Sequence, residues 1–224
     1  MNLILFGATG MVGQGVLREC LLDSEVSAVT IVVRRRTAFS HPKLREIVHA
    51  DLWNYAAIES ALSGLDACFF CLGVSSVGMD AAEYERITYY LTLAAAQTLA
   101  RLNPKMTFIY VSGAGTDSSQ RGRVAWARVK GRTENALLRL PFQAAYMFRP
   151  GLIQPLDGIK SRTRAVRIFY SLAGPVLPLV RVLFPSSILT TEQIGRAMLA
   201  VARRGAPKKV LESRDIREVA ASSG

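Results

Sequence analysis

At 224 residues, half of them hydrophobic, the chain can bury one sizeable core and is short for two, so a single domain over 1–224 is expected. Its 28 lysines and arginines against 17 acids leave a formal charge of +11, which favours anionic partners without choosing among nucleotides, acidic ligands, nucleic acid and lipid. Cys20, Cys68 and Cys71 are an odd set without secreted-scaffold spacing, and the opening MNLILFGATG has no basic leader, so a cytoplasmic protein is expected.

Leu3 to Phe6 is a continuous apolar run, as expected of a strand buried on both faces of a parallel sheet. Comparable runs recur at Ala28 to Val33, Ile47 to Val48, Ala67 to Leu72, Thr107 to Val111 and Ala144 to Phe148. Between them, apolar positions at three- and four-residue intervals predict helices over about Met11 to Leu22, Tyr55 to Leu62, Ala81 to Leu102 and Arg123 to Leu140. This alternation reads as an α/β doubly wound parallel sheet of Rossmann type. After Arg149-Pro150-Gly151 a basic, proline-interrupted stretch begins. Residues 151–190 are predicted to form a small cap on the substrate side, followed by a helix near Glu192 to Ala202 and a short strand at Lys209 to Leu211.

Phe169 to Phe184 is the least polar stretch, but Pro175, Pro178 and Arg181 interrupt it and it falls short of the roughly 20 apolar residues a membrane span needs. Lys160, Arg162, Arg164 and Arg167 precede it and leave peripheral contact with anionic lipid open, beside the plainer reading of helices packed over a pocket.

Chemistry concentrates first in the loop Gly7-Ala8-Thr9-Gly10-Met11-Val12-Gly13, which follows a strand and opens a helix. In that context Gly7 takes a tight turn, Gly10 lets the backbone approach a pyrophosphate, and Gly13 allows the helix to pack closely on the strand, with helix-start amides facing the phosphates. An ordinary glycine-rich turn would not need this agreement of spacing, strand and helix. The second strand ends at Val33-Arg34-Arg35-Arg36, where an acid would hold the ribose 2′-hydroxyl of NAD. Arginine instead offers a charged fork to a 2′-phosphate, so NADP(H) is expected over NAD(H), with Arg34 leading and Arg35 second; a solvated basic turn is the alternative. Asp51-Leu52 after the third strand falls where adenine would lie, and Cys71-Leu72-Gly73 after the fourth falls beside the pyrophosphate and ribose, though either can be a strand-end turn.

GATGMVG, the arginines after the second strand, CLG at 71–73, VSGAG at 111–115, WARVKGRTE at 126–134 and FRPG at 148–151 together resemble an atypical short-chain dehydrogenase/reductase. The nearest likeness is to the NAD-dependent epimerase/dehydratase-like branch that includes Tat-interacting-protein-type oxidoreductases. The resemblance implies a tyrosine one helical turn before a lysine, the tyrosine donating a proton to a carbonyl while the lysine meets the cofactor ribose. Lys130 matches that lysine, but Trp126 stands at the tyrosine position, and an indole N–H is no acid near neutral pH. Ser112-Gly113-Ala114 puts either the serine or the glycine at the family's serine or threonine position after the fifth strand; Ser112 is taken as the match, with Thr116 and Ser118 as substitutes. The implied function is a reductase or epimerase-like oxidoreductase acting on a small carbonyl substrate, or alternatively a non-catalytic NADP(H)-binding sensor. The resemblance also implies a homodimer.

Other features carry less. Cys68 and Cys71 lie three apart on a strand and face opposite ways, and His41 and His49 have no ligand spacing, so no metal site is expected. Arginines 121, 123, 128, 132 and 139 spread around the helix predicted over about Arg123 to Leu140 rather than forming one stripe, and no nucleic-acid module is visible.

Overall fold

A computed structural model describes residues 1–156 and 188–222. The predicted cap, the stretch Phe169 to Phe184 and the four basic residues before it therefore lie wholly or largely outside the described residues.

Seven parallel strands form one sheet in the order β3-β2-β1-β4-β5-β6-β9. They are β1 Asn2–Phe6, β2 Ala28–Val33, β3 Leu44–Val48, β4 Ala67–Phe70, β5 Thr107–Val111, β6 Ala144–Arg149 and β9 Val210–Glu212. Alternation along β1 explains its unbroken apolar run: Leu3 and Leu5 enter one core with Ile31, Phe69 and Ile109, while Ile4 and Phe6 enter another with Phe70, Phe108 and Tyr110. Residues of one strand point to opposite faces in turn, so a doubly covered sheet demands hydrophobic side chains at every position. Cys68 falls in the second core and Cys71 packs against the first; all three cysteines are free.

The first face is covered by α1 (Met11–Leu22) and α5 (Thr191–Arg204), which cross at two glycines. A Cβ on Gly15 would stand 2.4 Å from the Cβ of Thr191, and one on Gly195 would stand 2.7 Å from Cγ of Glu19. Such distances admit only glycine unless a backbone moves. The second face carries α2 (Ala81–Glu85), α3 (Leu91–Leu102) and α4 (Ala125–Leu137).

Three segments depart from the sequence reading. Ala56–Leu62 is a 3₁₀ helix rather than an α-helix, with Leu62 as its one buried residue, too little apolar anchorage to hold a longer turn. The predicted helix over 81–102 is continuous but widens to a π turn at Arg86–Tyr90, which sets Tyr89 and Tyr90 against the guanidinium of Arg132, 4.0 and 5.9 Å from the ring centroids. A final helix α6, Ser213–Ala221, was not anticipated: only Ile216 and Ala220 bury, and a Glu212/Asp215 capping box starts it. Outside the main sheet, β7 (Leu152–Gln154) and β8 (Ile188–Thr190) pair in parallel. Among the described residues no helix is long and apolar enough to cross a membrane.

Candidate cofactor and catalytic site

The strand order reverses between β1 and β4, opening a crevice at the carboxyl ends of the strands. Adjacent strands deliver Arg34 after β2, Gly7 after β1, Cys71 after β4 and Ser112 after β5 to that one edge.

Gly7 adopts φ +80°, and a Cβ there would lie 2.6 Å from the amide nitrogen of Leu72. The amide of Gly10 donates to the carbonyl of Gly7 at 2.9 Å. A Cβ on Gly13 would reach within 2.0 Å of that same carbonyl oxygen, so the first turn of α1 rests directly on the loop. Gly10 caps α1 without a side chain and the first turn holds no acid, which leaves the helix-start amides beside Met11, Val12 and Gly13 facing outward with their partial positive charge uncompensated. Gln14 Nε2 donates to the carbonyl of Thr9 at 3.2 Å and fixes the middle of the loop. The shape and chemistry of this cradle fit a diphosphate.

Arg34, Arg35 and Arg36 are exposed, and none has a side-chain partner among the described residues. The nearby acid Glu46 is turned instead to Thr37, accepting from its amide at 3.0 Å and its hydroxyl at 2.5 Å. Asp51 is exposed and accepts from the amide of Trp53 at 2.9 Å, a local turn contact. Leu52 is buried in the second core. The amide of Cys71 donates to the carbonyl of Phe6 at 3.0 Å, burial pushes its thiol up, and exposed Gly73 has nothing within 4 Å of where a Cβ would be.

The other half of the site is built on β5 and α4. Lys130 Nζ donates to the carbonyl of Ser112 at 2.6 Å and lies 5.9 Å from the ring centroid of Tyr110. Burial pulls this ammonium down to about 8, while the Glu134 carboxylate partly opposes the shift. The hydroxyl of Ser112 does not face open space: it donates to Glu134 Oε1 at 2.5 Å and lies 3.2 Å from the carbonyl of Phe148. Thr116 Oγ1 donates to the carbonyl of Gly113 at 2.7 Å, and Ser118 Oγ accepts from Arg149. Trp126 is half-buried, with its ring 3.6 Å from where a Cβ on Gly115 would stand. A Cβ on Gly131 would collide with the carbonyl of Asp117 at 1.8 Å, so the glycine after Lys130 lets the 113–118 loop lie flat on α4.

Two residues that the sequence reading quoted without giving them a role organise this half. Glu134, with its side chain 1% exposed, accepts from Arg149 Nε at 3.0 Å and Nη2 at 2.5 Å. Arg149 also reaches Glu212 at 3.2 Å. The available signal was an arginine ending a buried strand in FRPG and a carboxylate one turn past Lys130, since buried charges require partners.

A model of the NAD(P)H-binding family matches residues 7–139, more than half of the chain. The chain belongs to that family. Over 158 residues it is 29% identical to protein fmp52, mitochondrial, of Emericella nidulans, covering 68% of this chain and 66% of that protein. Protein FMP52, mitochondrial, of Chaetomium globosum is 26% identical over 155 residues, covering 68% and 65%. The match thus spans just under two thirds of the length of these relatives. The Bordetella bronchiseptica enzyme WbmF, solved in complex with NAD+, shares the fold at a TM-score of 0.68 and 15% identity, over 98% of this chain and 76% of that one. The domain is therefore an NAD(P)H-binding domain with a Rossmann fold.

One expectation is overturned. The chain was expected in the cytoplasm, whereas the curated relatives are named as mitochondrial proteins. The apolar opening segment supplies β1 at the centre of the sheet, so its composition reports strand burial and carries no information about cellular address.

Proposed function

We propose that this protein is an NADP(H)-dependent oxidoreductase of reductase or epimerase-like type acting on a small carbonyl substrate, and, by likeness to its relatives, that it works in the mitochondrion. The observation that carries the reading is the combination on one sheet edge of a glycine cradle with open helix-start amides, exposed Arg34 and Arg35 without a side-chain partner among the described residues, and Lys130 held over the end of β5. Bound here, a nicotinamide would give or accept a hydride. The loop from Gly7 to Gly13 would hold its diphosphate, Arg34 and Arg35 its 2′-phosphate, and Asp51 and Leu52 would lie toward the adenine, with Cys71, Leu72 and Gly73 beside the ribose. Lys130 would face the nicotinamide ribose and, with an ammonium near neutrality, hold the proton that a tyrosine supplies elsewhere in the family. Trp126 would form an apolar wall.

We propose further that 151–190 is a substrate-side cap within a single domain. Its support is the β7–β8 pair, which brings the two ends of that stretch together beside the sheet.

The test is a fluorescence titration with NADPH and NADH followed by turnover assays on carbonyl and enone substrates. Arg34→Ala is expected to weaken NADPH binding by about tenfold or more while leaving NADH binding unchanged, because one charge-assisted hydrogen bond is worth about 1.5–3 kcal/mol. Equal losses for both coenzymes would remove the 2′-phosphate assignment. Trp126→Tyr is expected to raise turnover by restoring a phenol one turn before Lys130, and silence of both proteins across the substrate panel would sink the oxidoreductase reading. The indole at position 126 favours a second reading, a non-catalytic NADP(H) sensor. In that case NADPH should alter hydrogen exchange in 151–190 without any turnover.

A further inference from the structure

Among the described residues Lys130 is held by one hydrogen-bond acceptor, the carbonyl of Ser112. What holds that carbonyl is itself built. The Ser112 amide donates to the carbonyl of Phe148 at 2.8 Å, and its hydroxyl donates to Glu134 at 2.5 Å. Both oxygens of Glu134 are in turn gripped by Arg149, whose side chain is 11% exposed. The chain of contacts runs from α4 through the ends of β5 and β6 and returns to α4 one helical turn beyond Lys130. A carboxylate this deeply enclosed is unneeded for packing alone, since apolar residues of similar volume stabilise such a position as well. The groups around the Lys130 ammonium are the Ser112 carbonyl, the Tyr110 ring with Tyr84 beside it, and Glu134 on its own helix, with Arg149 behind the carboxylate.

We propose that Glu134 is a positioning residue, which locks the backbone of Ser112 and so fixes where the amine of Lys130 stands in the crevice. Glu134 also supplies the negative charge that supports the protonated amine. Arg149 holds both oxygens of Glu134 and keeps the carboxylate aimed, and Ser112 serves as the hinge between the two. The oxidoreductase reading gives this device its purpose, yet the device can be measured without cofactor or substrate.

The experiment is competitive acetylation of the cofactor-free, full chain with trace acetic anhydride from neutral to strongly alkaline pH. The Lys130 peptide is quantified by mass spectrometry against the exposed Lys105 in the same sample. Lys130 should titrate near 8. Glu134→Gln should move that midpoint down by about one pH unit, the low end for losing a nearby opposite charge, and Glu134→Asp should bring it part of the way back. A merely structural role would lower the unfolding midpoint and leave this titration where it was. An unchanged Lys130 midpoint in folded Glu134→Gln overturns the proposal. If that variant does not fold, Ser112→Ala decides, because it keeps the carbonyl and removes only the hydroxyl tie. Lys130 acetylation should then rise by about two- to tenfold at fixed pH, the worth of one hydrogen bond, and an unaltered rate overturns the proposal. Failure of NADPH to bind would remove the oxidoreductase reading and leave this result standing.

Discussion

Replacing Gly13 with valine is expected to abolish saturable NADPH binding and to destabilise the protein by about 3 kcal/mol or more, at the upper end for an overpacked core site. The first added atom alone would lie 2.0 Å from the carbonyl oxygen of Gly7, which is backbone and cannot swing aside. Relief requires α1 to lift away from the loop, and the helix-start amides then lose their common aim. Gly73→Ala is the matched control. It sits on the same edge of the sheet, where an added Cβ meets nothing within 4 Å, and should leave the unfolding midpoint unchanged. Urea unfolding and a coenzyme titration of both variants check the pair of outcomes. Retention of binding by Gly13→Val would mean that the phosphate grip lies elsewhere.

The second large effect is expected at Arg149. Arg149→Met should cost about 3–5 kcal/mol, because it leaves the enclosed Glu134 carboxylate without its counter-charge. The double variant Arg149→Met/Glu134→Leu should recover most of that loss, since removing both charges removes the orphan as well. A double-mutant cycle by chemical denaturation reads the coupling directly. Additive single effects would show that the two side chains do not depend on each other. If the double variant is stable while its Lys130 labels abnormally, stability and amine placement are separable properties of the same four residues.

The sheet was legible because its grammar is simple. Continuous apolar runs at β1, β2 and β5 can be satisfied only between two covering layers, and the glycine loop announced the first crossover. The weaker elements were hidden for a physical reason each. Leu44–Val48 is an edge strand with no fully buried residue, so only its last two residues stood out as apolar. α6 carries four charged residues and two buried ones, and its signal was the spacing of Ile216 and Ala220 together with the capping pair. The π turn at Arg86–Tyr90 leaves no mark in a periodicity that survives on either side of it.

At the site, residue type was easier to read than direction. The glycine cradle follows from glycine spacing, because there the constraint is the absence of a side chain. Ser112 was singled out for its hydroxyl, yet that hydroxyl turns inward to Glu134 while its carbonyl meets Lys130. No pattern of letters specifies which of two oxygens on one residue faces the crevice; that follows from Arg149 arriving on a strand 37 positions downstream. Glu134 itself stood inside the WARVKGRTE motif without a role.

The crossing of α1 with α5 at Gly15 and Gly195 bears on how tightly the crevice can work. The helix whose tip is proposed to meet the diphosphate is pressed between the sheet on one side and a segment almost 180 residues later on the other, with no spare volume at either contact. Its orientation is therefore settled when the chain folds, and ordering this element adds little entropic penalty when a ligand arrives. The proposed phosphate grip near the amino terminus would in this sense be a property conferred by the carboxyl-terminal quarter of the polypeptide.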